Sequence, residues 1–75
     1  MQKLHEMKAG QAGEIAGVQG DTRFLSRVTS VGLTIGCRVE MLRNEKKYPL
    51  LLHSRDSVIA LNREESGNIL VEVMA

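Results

Sequence analysis

The chain has 75 residues, enough for one domain over residues 1–75, and folding at this size buries only about 60% of the surface exposed in the unfolded chain, which excludes an enclosed active-site cleft. Its apolar share of 43% is mostly aliphatic, with one Phe, one Tyr and no Trp, a composition typical of small β-barrels and sandwiches. Its formal net charge of +1 excludes a global electrostatic field that would attract nucleic acid or an anionic membrane.

The beginning of the chain predicts a short turn followed by one bent strand. Leu4 and Met7 are three residues apart and precede Gly10, a spacing that predicts one helical or 3₁₀ turn. Ile15 and Val18 then lie among small residues and glycines. Because glycine in a strand often marks a bulge or a close approach of two backbones, this segment is predicted to bend or bulge.

Residues 20–36 carry the amphipathic helical pattern of the sequence. Asp21 is the predicted N-cap, because its side chain can accept a hydrogen bond from the first turn of a helix. The apolar residues at helical spacing on one face are Phe24, Leu25, Val28 and Val31. Gly32 is the predicted left-handed C-cap, and Leu33 is the apolar residue that a Schellman motif folds back onto the last turn.

Beyond Gly36 the apolar residues alternate with polar ones, which predicts strands. The predicted strand segments are CRVEMLRN, YPLLLHS, DSVIALN and NILVEVM. The predicted inward-facing residues of the first and the last of these are Cys37, Val39 and Met41, and Ile69, Val71 and Val73. NEKKYP and SRD are predicted hairpin connections, and REES, ended by Gly67, is predicted to form a single helical turn.

These elements predict a mainly β fold, a small and partly open β-barrel of about five strands with one short helix inserted after the first strand. A barrel of this size cannot bury its own core completely. The helix is therefore predicted to cover one end of the barrel.

The candidate metal ligands are His5, Cys37, His53 and the four methionines. Transition-metal sites built on histidine bring His and carboxylate ligands together, and a ligating His usually has a second polar partner. No His or Cys has another one within ligand spacing in this sequence. A structural or surface role is therefore favoured for all three residues, and no metal site and no cofactor are predicted.

Catalysis is not predicted either. The serines have no recognisable base with an orienting acid, and the adjacent Glu64 and Glu65 point to different sides of a turn. The sequence also lacks a phosphate-binding loop of the type that holds nucleotides. The chain is predicted not to be an enzyme.

Two surfaces are candidates for contact with a partner. Arg23 and Arg27 are four residues apart and share the helix face opposite the apolar stripe. An ordinary solvated face is the alternative, but two arginines beside the apolar Leu33 favour a partner contact. The second candidate is the basic loop of Lys46, Lys47 and Tyr48, for which a solubilising hairpin tip is the favoured alternative.

The longest apolar run, 50–52, is far shorter than the roughly 20 residues of a membrane-spanning helix. The N-terminus lacks the apolar stretch of a signal peptide, and the single cysteine fits a reducing compartment. We therefore expect a cytoplasmic protein without direct membrane insertion.

Taken together, three stretches make the chain resemble the FeoA family of ferrous iron transport proteins. They are LHEMKAGQAGEIAGVQGD, RFLSRVTSVGLTIGCRVEMLRN and SVIALNREESGNILVEV. Each stretch consists mostly of caps, turns and core residues, and the resemblance depends on their order, spacing and total length. The departures from the family pattern are Ile35 in place of a frequent Pro, Asp56 in place of a hairpin Gly and Asn62 in place of a frequent Arg.

The resemblance implies an SH3-like barrel. It also implies a cytosolic accessory protein of bacterial ferrous iron uptake that docks on the membrane transporter FeoB, at or near its GTP-binding domain, and modulates it without a cofactor. One alternative is a metal-sensing module like the SH3-like domain at the C-terminus of iron-dependent repressors. A nucleic-acid-binding barrel, the other alternative, would need stacking aromatic residues and a basic stripe, which the sequence lacks.

Overall fold

The alternating segments of the sequence form strands in the computed structural model, which describes residues 1–74. The first half contains strand β1 (Gln2–Lys3), a 3₁₀ turn (Leu4–Glu6), strand β2 (Ala12–Val18) and helix α1 (Thr22–Ser30). The second half contains β3 (Arg38–Arg43), β4 (Leu50–Ser54), β5 (Ser57–Leu61), α2 (Arg63–Ser66) and β6 (Ile69–Met74). This mainly β architecture, with its longer helix after the first long strand, confirms the predicted fold class.

The strands form one antiparallel sheet in the order β1-β6-β2-β3-β4-β5. β6 lies between β1 and β2, where Val71 pairs with Gln2 on one side and with Ile15 on the other. β3, β4 and β5 follow one another through the two predicted hairpin connections. β1 was not predicted, because two residues are too few to show an alternating pattern.

β2 bends as predicted, since its register against β6 shifts between Ile15 and Gly17. Gly13 allows β6 to come close at the other end of the strand. A β-carbon at this position would lie 2.9 Å from the backbone oxygen of Glu72, closer than real β-carbons approach. Gly13 therefore serves the close packing of two backbones.

The core lies on the inner face of this sheet and is almost wholly aliphatic. Its buried residues are Leu4, Met7, Ile15, Val28, Leu33, Cys37, Val39, Met41, Leu50, Leu52, Leu61, Ile69 and Val71. The inward-facing residues predicted for β3 and β6 are confirmed, and Val73, although only half-buried, also packs against the core. α1 contributes Val28 to this core, with Phe24 packed partly against it, which confirms that the helix covers the core.

Both predicted caps of α1 are confirmed. Asp21 accepts a hydrogen bond from the backbone N–H of Phe24 at 2.8 Å. Gly32 has a φ of +92°, and its N–H donates to the carbonyl of Thr29 at 3.0 Å. The N–H of Leu33 donates to the carbonyl of Val28 at 2.9 Å, which completes a Schellman motif. The helix is thus fixed at both ends.

Leu33 is a correction to the predicted partner surface. Its side chain is 0% exposed and belongs to the core, so it cannot contact a partner in the folded domain. The physical reason is the Schellman motif itself, which turns the residue after the glycine back onto the helix and, here, into the sheet. The prediction that Leu33 binds a partner is therefore wrong.

The structure also explains two departures from the family pattern. In the tight turn between β4 and β5, Arg55 has a positive φ of 57° and Asp56 does not. Asn62 is the N-cap of α2, where its side-chain oxygen accepts from the N–H of Glu65 at 2.8 Å. The predicted single helical turn before β6 is thus confirmed, and Asn62 caps it.

Within residues 1–74, neither α1 nor α2 is long and apolar enough to cross a membrane.

Candidate partner-binding surface between the two helices

The two arginines predicted to bind a partner lie one turn apart on the solvent side of α1, and both are exposed. They face a shallow groove between α1 and the α2 segment, called the helix groove below. Its lining includes Asp21, Arg23, Phe24, Arg27, Glu65 and Asn68. The structure therefore brings Arg23 and Arg27 together, as the spacing predicted, and adds two residues from the far end of the chain.

Arg27 has partners within the chain. Its guanidinium forms an ion pair with the carboxylate of Glu65 on α2 and lies 5.8 Å from the centre of the Phe24 ring. The Arg27 side chain nevertheless remains 53% exposed, against 23% for Glu65. Ion pairs this open to solvent contribute little to stability, so Arg27 keeps most of its capacity to meet another group.

Arg23 differs from Arg27 in that no carboxylate among residues 1–74 forms an ion pair with it. Asp21, the nearest acidic residue in sequence, uses its Oδ1 to accept from the N–H of Phe24. Arg23 is thus an exposed cation at the mouth of the helix groove, beside a second cation that is already paired.

Glu65 is a residue of the groove that sequence reasoning missed. Its backbone is fixed because its N–H donates to the Asn62 cap and the Ser66 hydroxyl donates to the Arg63 carbonyl at 2.7 Å. Glu64 is exposed, whereas Glu65 is half-buried, so the two carboxylates do point to different sides, as predicted. The contact with Arg27 joins residues far apart in the sequence, and no local pattern indicates it.

The basic loop is exposed at all three predicted positions, Lys46, Lys47 and Tyr48. Arg43 stacks over the Tyr48 ring, 4.0 Å from its centre, and donates to the carboxylate of Glu45 at 3.2 and 3.3 Å. The Tyr48 ring is therefore held by Arg43 of β3, whereas neither Lys46 nor Lys47 forms an ion pair within residues 1–74.

The base of this loop is tied to the rest of the molecule by Asn44. Its side-chain N–H groups donate to the backbone oxygens of His5 and Met7, and its oxygen accepts from Arg63 on α2 at 2.7 Å. These three bonds connect β3, the 3₁₀ turn and α2. The sequence did not indicate this role for Asn44.

Of the candidate metal ligands, Cys37 and His53 line one pocket together with Glu40, whereas His5 lies elsewhere. His5 is half-buried near α2, whereas the thiol of Cys37 is buried 3.0 Å from the Ser54 hydroxyl. His53 is exposed on β4, where it pairs across the sheet with Glu40. Over residues 1–74, no three His, Cys, Asp or Glu side chains converge in a way that could hold a metal ion.

A family model described as the FeoA domain matches residues 2–73. A comparison with curated proteins gives no match. Among solved structures, the FeoA protein from Chlorobium tepidum is 27% identical, with a TM-score of 0.89 over 99% of this chain and 71% of that chain.

Two further structures have the same fold. FeoA from Stenotrophomonas maltophilia, solved with zinc and described as an SH3 domain protein, is 21% identical, with a TM-score of 0.83 over 96% of this chain and 91% of that one. A manganese-dependent transcriptional repressor in complex with manganese is 17% identical, with a TM-score of 0.90 over 97% of this chain but only 36% of the repressor. These likenesses show an SH3-like fold.

Proposed function

Since this chain belongs to the FeoA family, which acts in ferrous iron transport, we propose that it binds the cytosolic side of a FeoB-like membrane GTPase transporter and modulates it through protein contacts. In this role it is a cytosolic accessory protein that needs no cofactor. It acts by presenting a surface, and the surface proposed is the outer face of α1 with Arg23 and Arg27.

The observation that carries this proposal is the pair of exposed arginines on a helix that is capped at both ends. Arginine is enriched at protein interfaces because its planar guanidinium can pair with a carboxylate through two hydrogen bonds. A rigid helix presents such groups with little loss of conformational entropy on binding. The basic loop with Lys46 and Lys47 is the second candidate surface.

The alternative function is a metal-sensing module. The manganese-dependent repressor contains a domain of the same fold, which favours this alternative, although this chain corresponds to only 36% of that protein. Cys37 and His53 line one pocket with Glu40, but within residues 1–74 no three His, Cys, Asp or Glu side chains form a group that could hold a metal ion. Calorimetric titration with iron(II) and manganese(II) tests it, and saturable heat at a stoichiometry of one would favour this alternative.

The test of the proposed function is a pull-down of the purified chain with the cytosolic domain of FeoB from the same organism, at low and at physiological salt. We expect the wild type to be retained and the double variant Arg23→Glu/Arg27→Glu to be lost. Two reversed charges that face acidic groups of a partner weaken binding by roughly several kcal/mol. Circular dichroism of each variant establishes that the fold is intact.

Lys46→Glu/Lys47→Glu is the matched control, since it makes the same change in net charge at the other candidate surface. Retention of this control together with loss of the helix variant supports the α1 face. A folded Arg23→Glu/Arg27→Glu protein that binds with wild-type affinity would falsify that assignment, and loss of the loop variant would then indicate the basic loop.

A further inference from the structure

We propose that the helix groove is a binding site for a carboxylate of an acidic protein segment, and that Glu65 occupies this site in the free protein. The proposal deepens the proposed function and rests on it, because it names the chemistry that a partner presents to α1. In the bound state a partner carboxylate takes over contacts with Arg27 and gains those of Arg23.

The helix groove already holds one carboxylate, that of Glu65. The ion pair between Arg27 and Glu65 places a carboxylate against the guanidinium, at a point where that guanidinium is also aligned over the Phe24 ring. A guanidinium has five N–H donors in a planar fork that matches a carboxylate. The ion pair with Glu65 is made through Nη2, and a guanidinium with five donors can also meet a second acceptor.

The positive charges around Arg27 outnumber the carboxylates available to pair with them. Arg23 lies one turn away on the same side of α1 without an ion-pair partner among residues 1–74. Asp21 does not fill that role, because its carboxylate caps the helix by accepting from the backbone of Phe24. The groove therefore contains two guanidinium groups and one carboxylate that is available to them.

The aromatic ring of Phe24 lines the helix groove. Phe24 is half-buried and packs against Gly20, where an added β-carbon would lie 2.8 Å from a ring carbon. This contact restricts the position of the ring, which also packs partly against the core. The guanidinium of Arg27 lies 5.8 Å from the ring centre, and this cation–π contact favours the position that Arg27 takes in the groove.

Replacing Glu65 by a partner carboxylate costs little free energy. The pair is open to solvent, with the Arg27 side chain 53% exposed, and exposed pairs are weak. Glu65 lies on a one-turn helix whose backbone is fixed by Asn62, so its side chain can leave while α2 stays folded. Glu65 thus competes with an incoming carboxylate and limits the affinity for weakly acidic surfaces.

The test is a titration of the isotope-labelled full chain with hexaglutamate, followed by NMR, with hexaglutamine as the uncharged control peptide. We expect amide shifts at 20–27 and 65–68, and none with hexaglutamine. Glu65→Gln should lower the Kd for hexaglutamate by about threefold to fivefold, because the internal competitor has lost its charge.

Glu64→Gln is the matched control, since it changes the net charge equally at a neighbouring exposed position. Its effect on Kd should stay below about 1.5-fold at physiological salt, where distant exposed charges are screened. Arg23→Gln breaks no ion pair and should raise the Kd at least about threefold, so it tests the site even where Glu65→Gln lowers stability.

Equal effects of Glu64→Gln and Glu65→Gln, shifts confined to the loop at 43–48, or an Arg23→Gln variant with unchanged Kd would each overturn the proposal. The pull-down with FeoB separates it from the proposed function. Binding of hexaglutamate in the groove without retention of FeoB contradicts only the choice of partner. Retention of FeoB that Glu65→Gln leaves unchanged contradicts only the role of Glu65.

Discussion

Arg55 is the residue at which side-chain type and backbone conformation disagree most. Its φ of 57° lies in the left-handed region, where a β-carbon costs roughly 1 kcal/mol, and it is the non-glycine residue with a positive φ within residues 1–74. A tight two-residue turn between antiparallel strands imposes this conformation. The strain is local and is offset by the pairing of β4 with β5.

Arg55→Gly should therefore raise the free energy of unfolding by about 0.5 to 1 kcal/mol, since glycine removes the strain but adds entropy to the unfolded chain. Urea denaturation followed by circular dichroism measures this change. Asp56→Gly, at the adjacent position without a positive φ, should leave stability equal or lower. A stabilising Asp56→Gly with a neutral Arg55→Gly would show that the turn has another conformation.

Gly32 presents the opposite case, in which residue and conformation agree. A β-carbon at Gly32 would meet no atom within 4 Å, so any cost of substitution comes from the backbone alone. Gly32→Ala should lower the free energy of unfolding by about 1 kcal/mol. Gly17→Ala is the control, because its β-carbon would make an ordinary contact with Leu70 at 3.6 Å, and we expect a change within about 0.5 kcal/mol.

At the scale of elements, Asn44 connects three pieces that are separate in sequence. Removal of its amide leaves the backbone oxygens of His5 and Met7 without this donor, and it leaves Arg63 with the longer contact to the Glu45 carbonyl at 3.4 Å. Asn44→Ala should therefore lower the free energy of unfolding by about 2 to 3 kcal/mol, since part-buried polar groups that lose their partners are costly.

Denaturant unfolding of Asn44→Ala beside Glu45→Ala checks this expectation. Glu45 makes an exposed contact with Arg43, which should be worth about 0.5 kcal/mol or less. If both variants lost the same small amount of stability, the Asn44 bonds would be dispensable and α2 would be held by its apolar neighbours.

The elements themselves were largely predictable because their determinants are local. Asp21, Gly32 and the spacing of Phe24 and Val28 predict α1 with both caps, and the alternation beyond Gly36 predicts β3 to β6. The Schellman motif predicts that Leu33 folds back onto α1, but no local pattern shows that the sheet buries Leu33 there. Leu33 was assigned to the surface and lies in the core, since its burial depends on where the sheet is relative to the helix.

At the scale of the whole molecule, the fold is expected to stand without metal. Cys37 and His53 line one pocket, but no three His, Cys, Asp or Glu side chains converge within residues 1–74, and structural metal sites draw folding energy from ligands that converge. A chelator such as EDTA should therefore leave the Tm unchanged within error. A decrease of about 4 °C or more would correspond to roughly 1 kcal/mol in a domain of this size and would contradict the expectation.

The candidate site was predictable only in part, because it depends on contacts between residues that are far apart in the sequence. The spacing of Arg23 and Arg27 places both on one face of α1, but their surroundings come from α2, beyond the reach of any local pattern. Glu65 meets Arg27 only because β6 returns the end of the chain to the first long strand. Long-range contacts of this kind follow from topology, which fixes them once the strand order is known.

The central place of β6 in the sheet also affects the kinetics of folding. The β3–β4–β5 meander requires only short loop closures, whereas Gly13 and Val73 meet after almost the whole chain has been brought together. Because contacts between distant residues slow the search for the native state, we expect the meander to form early and β6 to insert last between β1 and β2. The rate-limiting barrier is then the capture of this last strand by the two strands it separates.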